Sequence, residues 1–333
     1  VEYKKEGDKI ISNARTKVIN NQDKRELEAD KVETTVAFEE ITGVGNVIYK
    51  DLPRELKSDK IKYNDVTKIA EAEGNVVYKD DKSNITANKG IYYIEKRQVD
   101  ATGNVIYEGK DLRVTAGHVF YDEIKQSADA DGNGTFNYKP KKSNGTFKSG
   151  NYNLKDEILT TSGYYTMNYD DYKMNGTGLV YLFKTGHATL NKNFSVTKQN
   201  FSVSGNSGIM NTINKDIFAN KMIMRSIQGD IITSNTGEGS FEKKEFKFDG
   251  NVNGKIRGNV KDFLNNPTKL IESEAVNFRG STSKIYFVSH NNNDMSITRS
   301  EIKGNVHMIY KDVNLDSQYN EIDTSKNLVL ARD

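Results

Sequence analysis

The string Gly-Asn-Val-(Ile/Val)-Tyr stands at Gly45–Tyr49, Gly74–Tyr78 and Gly103–Tyr107, each copy 29 residues after the last. A further step reaches Gly132-Asn133, and a step back reaches Thr16, with Val18 and Ile19 in register. Two other columns share the spacing. Ala29, Ser58, Ala87 and Ala116 form one, preceded by Leu27, Leu56, Ile85 and Val114; Ala72, Ala101 and Ala130 form the other. Independent columns with one period mean that a single supersecondary unit is repeated and stacked, each copy burying its apolar face on its neighbours. At 29 residues a unit, the 333-residue chain holds about eleven. The period continues loosely at Ile217/Ala219/Met222, Ile271-Glu272-Ser273 and Gly304-Asn305-Val306, and blurs between about residues 150 and 205.

Each unit reads as β-strands. Val47 and Tyr49 point to one face and Ile48 to the other, the period-2 alternation of a pleated strand. Parity shifts between Ser58 and Ile61, which places a bulge or corner at Asp59-Lys60 and at its equivalents Asn88-Lys89 and Gly117-His118. Turn formers punctuate the units at Lys50-Asp51, Asn64-Asp65, Asp80-Asp81 and Asp122-Glu123. Pro53, Pro140 and Pro267 fall in connections, where a missing N–H breaks no ladder. No segment has the 3.6-residue period of an amphipathic helix. The fold class expected is all-β, with the small columns set where backbones approach and the Val and Tyr columns between two walls. Tyrosine, apolar with one hydroxyl to satisfy, suits the mouth of a groove better than a dry core.

Composition narrows the function. Lys+Arg 48 against Asp+Glu 46 leaves no basic excess for nucleic acid. Hydrophobic residues are 35% and mean hydropathy is −0.73, with no run of about 18 apolar residues to span a membrane. Cysteine is absent, so neither disulfides nor thiolate metal sites are available. His118, His187, His290 and His307 are too scattered for metal-ligand spacing. Asp129–Gly134 imitates the start of a calcium loop, yet its twelfth position is Pro140 rather than a bidentate Glu. Neither a metal nor another cofactor is expected, and no carboxylate cluster departs from the repeat, so no enzyme is expected either.

The segments Ala72-Glu73-Gly74-Asn75-Val76 and Ala101-Thr102-Gly103-Asn104-Val105, followed by Leu27-Glu28-Ala29-Asp30-Lys31-Val32 and Val114-Thr115-Ala116-Gly117, resemble the periplasmic lipopolysaccharide-transport β-jellyroll family (OstA/LptA-like). The likeness is strong over 16–138 and recurs near 205–225, 258–280 and 304–331. It implies an elongated, repetitive antiparallel β-jellyroll, V-shaped with an open groove that shields acyl chains. It implies a non-enzymatic lipopolysaccharide (glycolipid) binder bridging inner and outer membranes in the periplasm of a Gram-negative envelope, its signal peptide removed or its anchor trimmed. Partners would be lipopolysaccharide or a related glycolipid, and other β-jellyroll components added edge-strand to edge-strand, its own copies head-to-tail included. The chain is about twice the length of one bridge subunit of that family, and a barrel translocon is not expected within these residues. It is expected to form one continuous stack over 1–333, divisible into regular repeats at 1–160 and degenerate ones at 161–333.

The residues expected to line the groove are Val47, Tyr49, Ile61, Val76, Tyr78, Ile91, Val105, Tyr107 and Val119. The same columns packed into a closed core are the alternative. Lys50, Lys79, Lys139, Lys141 and Lys142 at strand turns could meet lipid phosphates, although interleaved acids fit a solvated face as well. A structural or adhesive β-repeat protein of the cell surface is the competing function.

Overall fold

A computed structural model describes residues 3–257, 275–290, 294–310, 313–323, 326 and 328–333. Pro267 and Ile271-Glu272-Ser273 lie outside the described residues. The chain is the repetitive antiparallel β-jellyroll that the period predicts, and it divides into two compact units, Val1–Gly163 and Tyr164–Asp333.

In the first unit, β1 (Tyr3–Glu6), β2 (Lys9–Ser12), β3 (Thr16–Asn20), β4 (Arg25–Ala29) and β5 (Lys31–Thr35) are short. They lead into eight long strands: β6 (Glu40–Asp51), β7 (Arg54–Asn64), β8 (Ile69–Lys79), β9 (Asn84–Tyr93), β10 (Gln98–Glu108), β11 (Leu112–Asp122), β12 (Ser127–Tyr138) and β13 (Ser143–Asn153). Each long strand belongs to two walls. The first half of β6 pairs with β5 (Thr34 opposite Ile41), and its second half pairs with β4 (Leu27 opposite Tyr49). The first wall therefore runs β1, β2, β5 and alternating halves of β6 to β13. The second wall runs β3, β4 and the complementary halves.

The Gly-Asn of the repeat makes the crossing. Gly45 (φ 80°) and Asn46 (φ 45°), Gly74 (77°) and Asn75 (48°), and Gly103 (82°) and Asn104 (49°) are tandem left-handed residues. Glycine enters that region freely and asparagine more readily than other side chains, so this dipeptide bends a strand without ending it. The ladder shifts register there, between Val44 and Val47 on β6 and between Thr102 and Val105 on β10. On the neighbouring strand the expected corner at Asp59-Lys60 is present as two consecutive exposed residues, and the Asn75 amide donates to Asp59 Oδ2 at 2.9 Å. Asn46 donates likewise to Asp30 Oδ2 at 2.7 Å. The calcium-like string is another such corner, with Gly132 at φ 88° and Asn133 at 60° inside β12.

The turns expected at Asn64-Asp65, Asp80-Asp81 and Asp122-Glu123 fall at those residues or directly after them, whereas Lys50-Asp51 end β6 and the turn follows at Leu52-Pro53. Asn64 Oδ1 accepts from the Val66 and Thr67 amides, and Asp80 Oδ1 from Lys82 and Ser83, closing two of them locally. Pro53 sits in the β6–β7 turn and Pro140 in a 3₁₀ turn at Lys139–Lys141. The loss of register after residue 138 has a plain cause. The β12–β13 hairpin is two residues longer, since Phe136 faces Gly145 where Tyr107 faces Val114.

The second unit keeps the two-wall plan with broken strands. Residues 194–198 of the strand His187–Lys198 pair with Phe201–Gly205, and residues 187–190 pair with Ser207–Asn211. Its core carries Phe194, Phe201, Phe241, Phe246, Met210 and Met222, all buried. Where the strands become long again the corner dipeptide returns, at Gly250-Asn251 and Gly304-Asn305, each pair at positive φ.

Candidate functional site

The inner face of the first unit is built by alternation. Val47, Tyr49, Ile61, Val76, Tyr78, Val105, Tyr107 and Val119 all point between the walls, none more than 3% exposed. Ile91 does not. It is half-exposed on the outer face opposite Glu71 and Asp100, and the inward place in its row belongs to Gly90, opposite Ala72 and Ala101. Gly90, not Ile91, lies one period from both Ile61 and Val119; a Cβ on it would approach Val76 Cγ1 to 3.1 Å, so Val76 fills the space. The run Ile91-Tyr92-Tyr93-Ile94 is apolar on both faces, which is why alternation alone misplaced it.

The tyrosine column stands along the flank where strands end in turns, but buried rather than at an open mouth. A second column, Tyr63, Tyr92 and Tyr121, faces it from the other wall with the same period, a signal present in the sequence and not used there. Tyr49 and Tyr63 pack with ring centroids 5.2 Å apart, Tyr78 and Tyr92 5.3 Å, and Tyr107 and Tyr121 5.9 Å. Burying a side chain of this size contributes about 1.5–3 kcal/mol. The hydroxyls are less well served. Tyr107 shares a hydrogen bond with Ser83, and burial pushes its hydroxyl up to about 12. The Tyr49 and Tyr78 hydroxyls are buried with no partner, and desolvation raises both further. Such a group costs about 1–3 kcal/mol.

The inner space does not stay filled. At the β1–β3 end it widens into a cavity of about 710 Å³ whose lining includes Ile10, Val18, Leu27, Val32, Ile41 and Tyr49. These side chains form the first rungs of the two walls: Ile10 faces Thr34, and Val18 faces Leu27. Beyond Ile10 the first wall carries only the exposed strand β1, beyond Val18 the second wall carries no further strand among the described residues, and Tyr3 and Phe38 stand exposed beside the cavity. Lys17, Arg25, Glu26 and Asp65 edge the opening. Arg25 is held by Asp23 at 2.8 Å and Lys17 by Glu26 at 3.1 Å. The turn lysines Lys50, Lys79, Lys139, Lys141 and Lys142 are exposed or half-exposed, and of them Lys50 stands opposite Glu26 of the opening. Among the described residues no group of three or more His, Asp or Glu could hold a metal ion, and no helix is long and apolar enough to cross a membrane.

No family model matches the chain, and no curated protein matches it. Among solved structures it is similar to LptH, the LptA homologous periplasmic component of the lipopolysaccharide transport device of Pseudomonas aeruginosa. The identity is 13%, covering 41% of this chain and 81% of that one, with a TM-score of 0.22.

In the second unit the walls are tied by Lys198, which donates to Glu242 and lies over the Tyr172 ring at 4.7 Å. The Lys198 hydrogen bond holds the Glu242 carboxyl below its ordinary value of 4.5, against the opposing effect of burial. A carboxylate with a lowered folded-state pKa stabilises the fold above the unfolded value and loses that contribution as pH falls through the folded one. The Lys198→Met variant is therefore expected to show a shallower loss of stability than the parent chain below pH 4.5, measured by urea unfolding across the acid range.

Proposed function

We propose that this chain is a non-catalytic carrier of glycolipid acyl chains, lipopolysaccharide or a related molecule, working in the periplasm between two membranes. The observation that carries the reading is the cavity of about 710 Å³ at the β1–β3 end, apolar within and edged by charged side chains. Each methylene that leaves water for such a cavity gains about 0.8 kcal/mol, so ten give about 8 kcal/mol. The head group stays outside, since burying unpaired charge is costly. The sequence resemblance to the transport jellyrolls points the same way. Partners are proposed to join through edge strands, because β3 pairs with β4 and β1 with β2, leaving each with one free edge among the described residues.

Freshly purified chain is expected to carry glycolipid, identified by native mass spectrometry before and after delipidation. The stripped chain should bind a fluorescent fatty acid and a lipid A probe competitively. In the same sample, scattering should show end-to-end association as concentration rises. A clean preparation that binds neither probe would overturn the carrier reading and leave the adhesive one. A monomer at all concentrations would remove the edge-strand partners.

A further inference from the structure

The two flanks of the first unit are unlike. Along one, every long strand passes from wall to wall, alternate ones (β6, β8, β10 and β12) through a Gly-Asn corner, so this flank is a covalent spine. Along the other, strands end in turns and the walls are tied by side chains. Arg54 of the second wall donates from Nε and Nη2 to Glu123 of the first at 2.6 and 2.9 Å. Tyr92 donates to Asp51 at 3.0 Å, and Lys68 to Asp23 at 3.3 Å. The facing tyrosines lie directly beneath these ties.

We propose that this seam is a lateral gate: the walls part along the tyrosine ladder, turning on the Gly-Asn spine, and acyl chains enter the middle of the unit sideways. The inference rests on the carrier reading. Four features support it. The middle is shut, with Val76, Val105 and Val119 at most 3% exposed, so an acyl chain there needs an opening that the end cavity does not supply. The ties are polar and regain water when they separate. The Tyr49 and Tyr78 hydroxyls, buried without a partner in the closed form, become hydrated in the open one. The Arg54–Glu123 pair occurs once: Arg25 stands one period before Arg54, but Ile94 stands one period before Glu123, and one period beyond Arg54 stands Ser83. It is an added clasp rather than a column of the fold.

The absence of cysteine makes the test clean. The double variant Arg54→Cys/Glu123→Cys is prepared unreacted and bridged by a short bismaleimide. A photoactivatable fatty acid is offered from detergent micelles, and adducts are mapped by mass spectrometry over time. Adducts near Val105 are expected to form at least tenfold faster in the unreacted form than in the bridged one, while adducts near Leu27 and Val32 form equally in both. The charge-swapped Arg54→Glu/Glu123→Arg variant should return towards the parent rate, which separates a clasp from a residue needed only for folding. Equal rates near Val105 in bridged and unreacted forms, or adducts confined to the β1–β3 end, would overturn the gate and leave the carrier intact. No adduct anywhere would overturn both.

Discussion

Replacing Gly74 with valine is expected to destabilise the first unit by about 2–5 kcal/mol, a large share of what holds a domain together. Two causes add. At φ 77° a β-branched residue is a conformational outlier, and its Cβ would lie 2.4 Å from Asp59 Oδ2. Asp59 cannot simply retreat, because it accepts the hydrogen bond from Asn75 that fixes the corner. Gly117→Ala, at a corner of β11, is the control. Gly117 is not left-handed, and its added Cβ would meet nothing closer than 3.6 Å, so this change should be neutral or stabilise by up to about 1 kcal/mol through the unfolded chain. Urea unfolding reads both, with hydrogen exchange of the β7–β9 amides for the first and of the β10–β12 amides for the second. Equal effects at the two glycines would refute the claim that the corner dipeptide, rather than glycine content, directs the fold.

That corner also explains what the sequence disclosed. The two-wall plan was legible because Gly45-Asn46, Gly74-Asn75 and Gly103-Asn104 repeat a conformational demand that few residues meet, and because inward and outward residues alternate between corners. The downstream blur reflects a two-residue longer hairpin after Phe136 and the splitting of strands in the second unit, both compatible with the same pairing but not with one fixed period. Closure of the turn flank was not legible. It depends on contacts such as Arg54 with Glu123, 69 positions apart; Arg25 stands one period before Arg54, but Ile94 stands one period before Glu123, so no repeated pair marks it. The end cavity was missed for a related reason. Ile10 and Val18 belong to the first rung, where the pattern is starting and has no earlier copy to align with.

The Val18→Trp variant is expected to lower affinity for a fluorescent fatty acid at least tenfold while leaving the fold in place. Val18 is half-buried, points inward across from Leu27, and lines the cavity of about 710 Å³. An indole there takes volume from the acyl chain. Displacing two methylenes forfeits about 1.6 kcal/mol, already more than the 1.4 kcal/mol of a tenfold change. Val77→Trp makes the same change on the outer face of β8, where Val77 is half-exposed opposite Lys57 and Thr86, and should leave affinity unchanged. Because the chain has no tryptophan of its own, indole emission reports contact directly: it should shift on adding fatty acid to the first variant and stay fixed in the second. Undiminished binding by the first variant would move the acyl chain out of this cavity, and equal losses in both would trace the effect to general destabilisation rather than to a filled mouth.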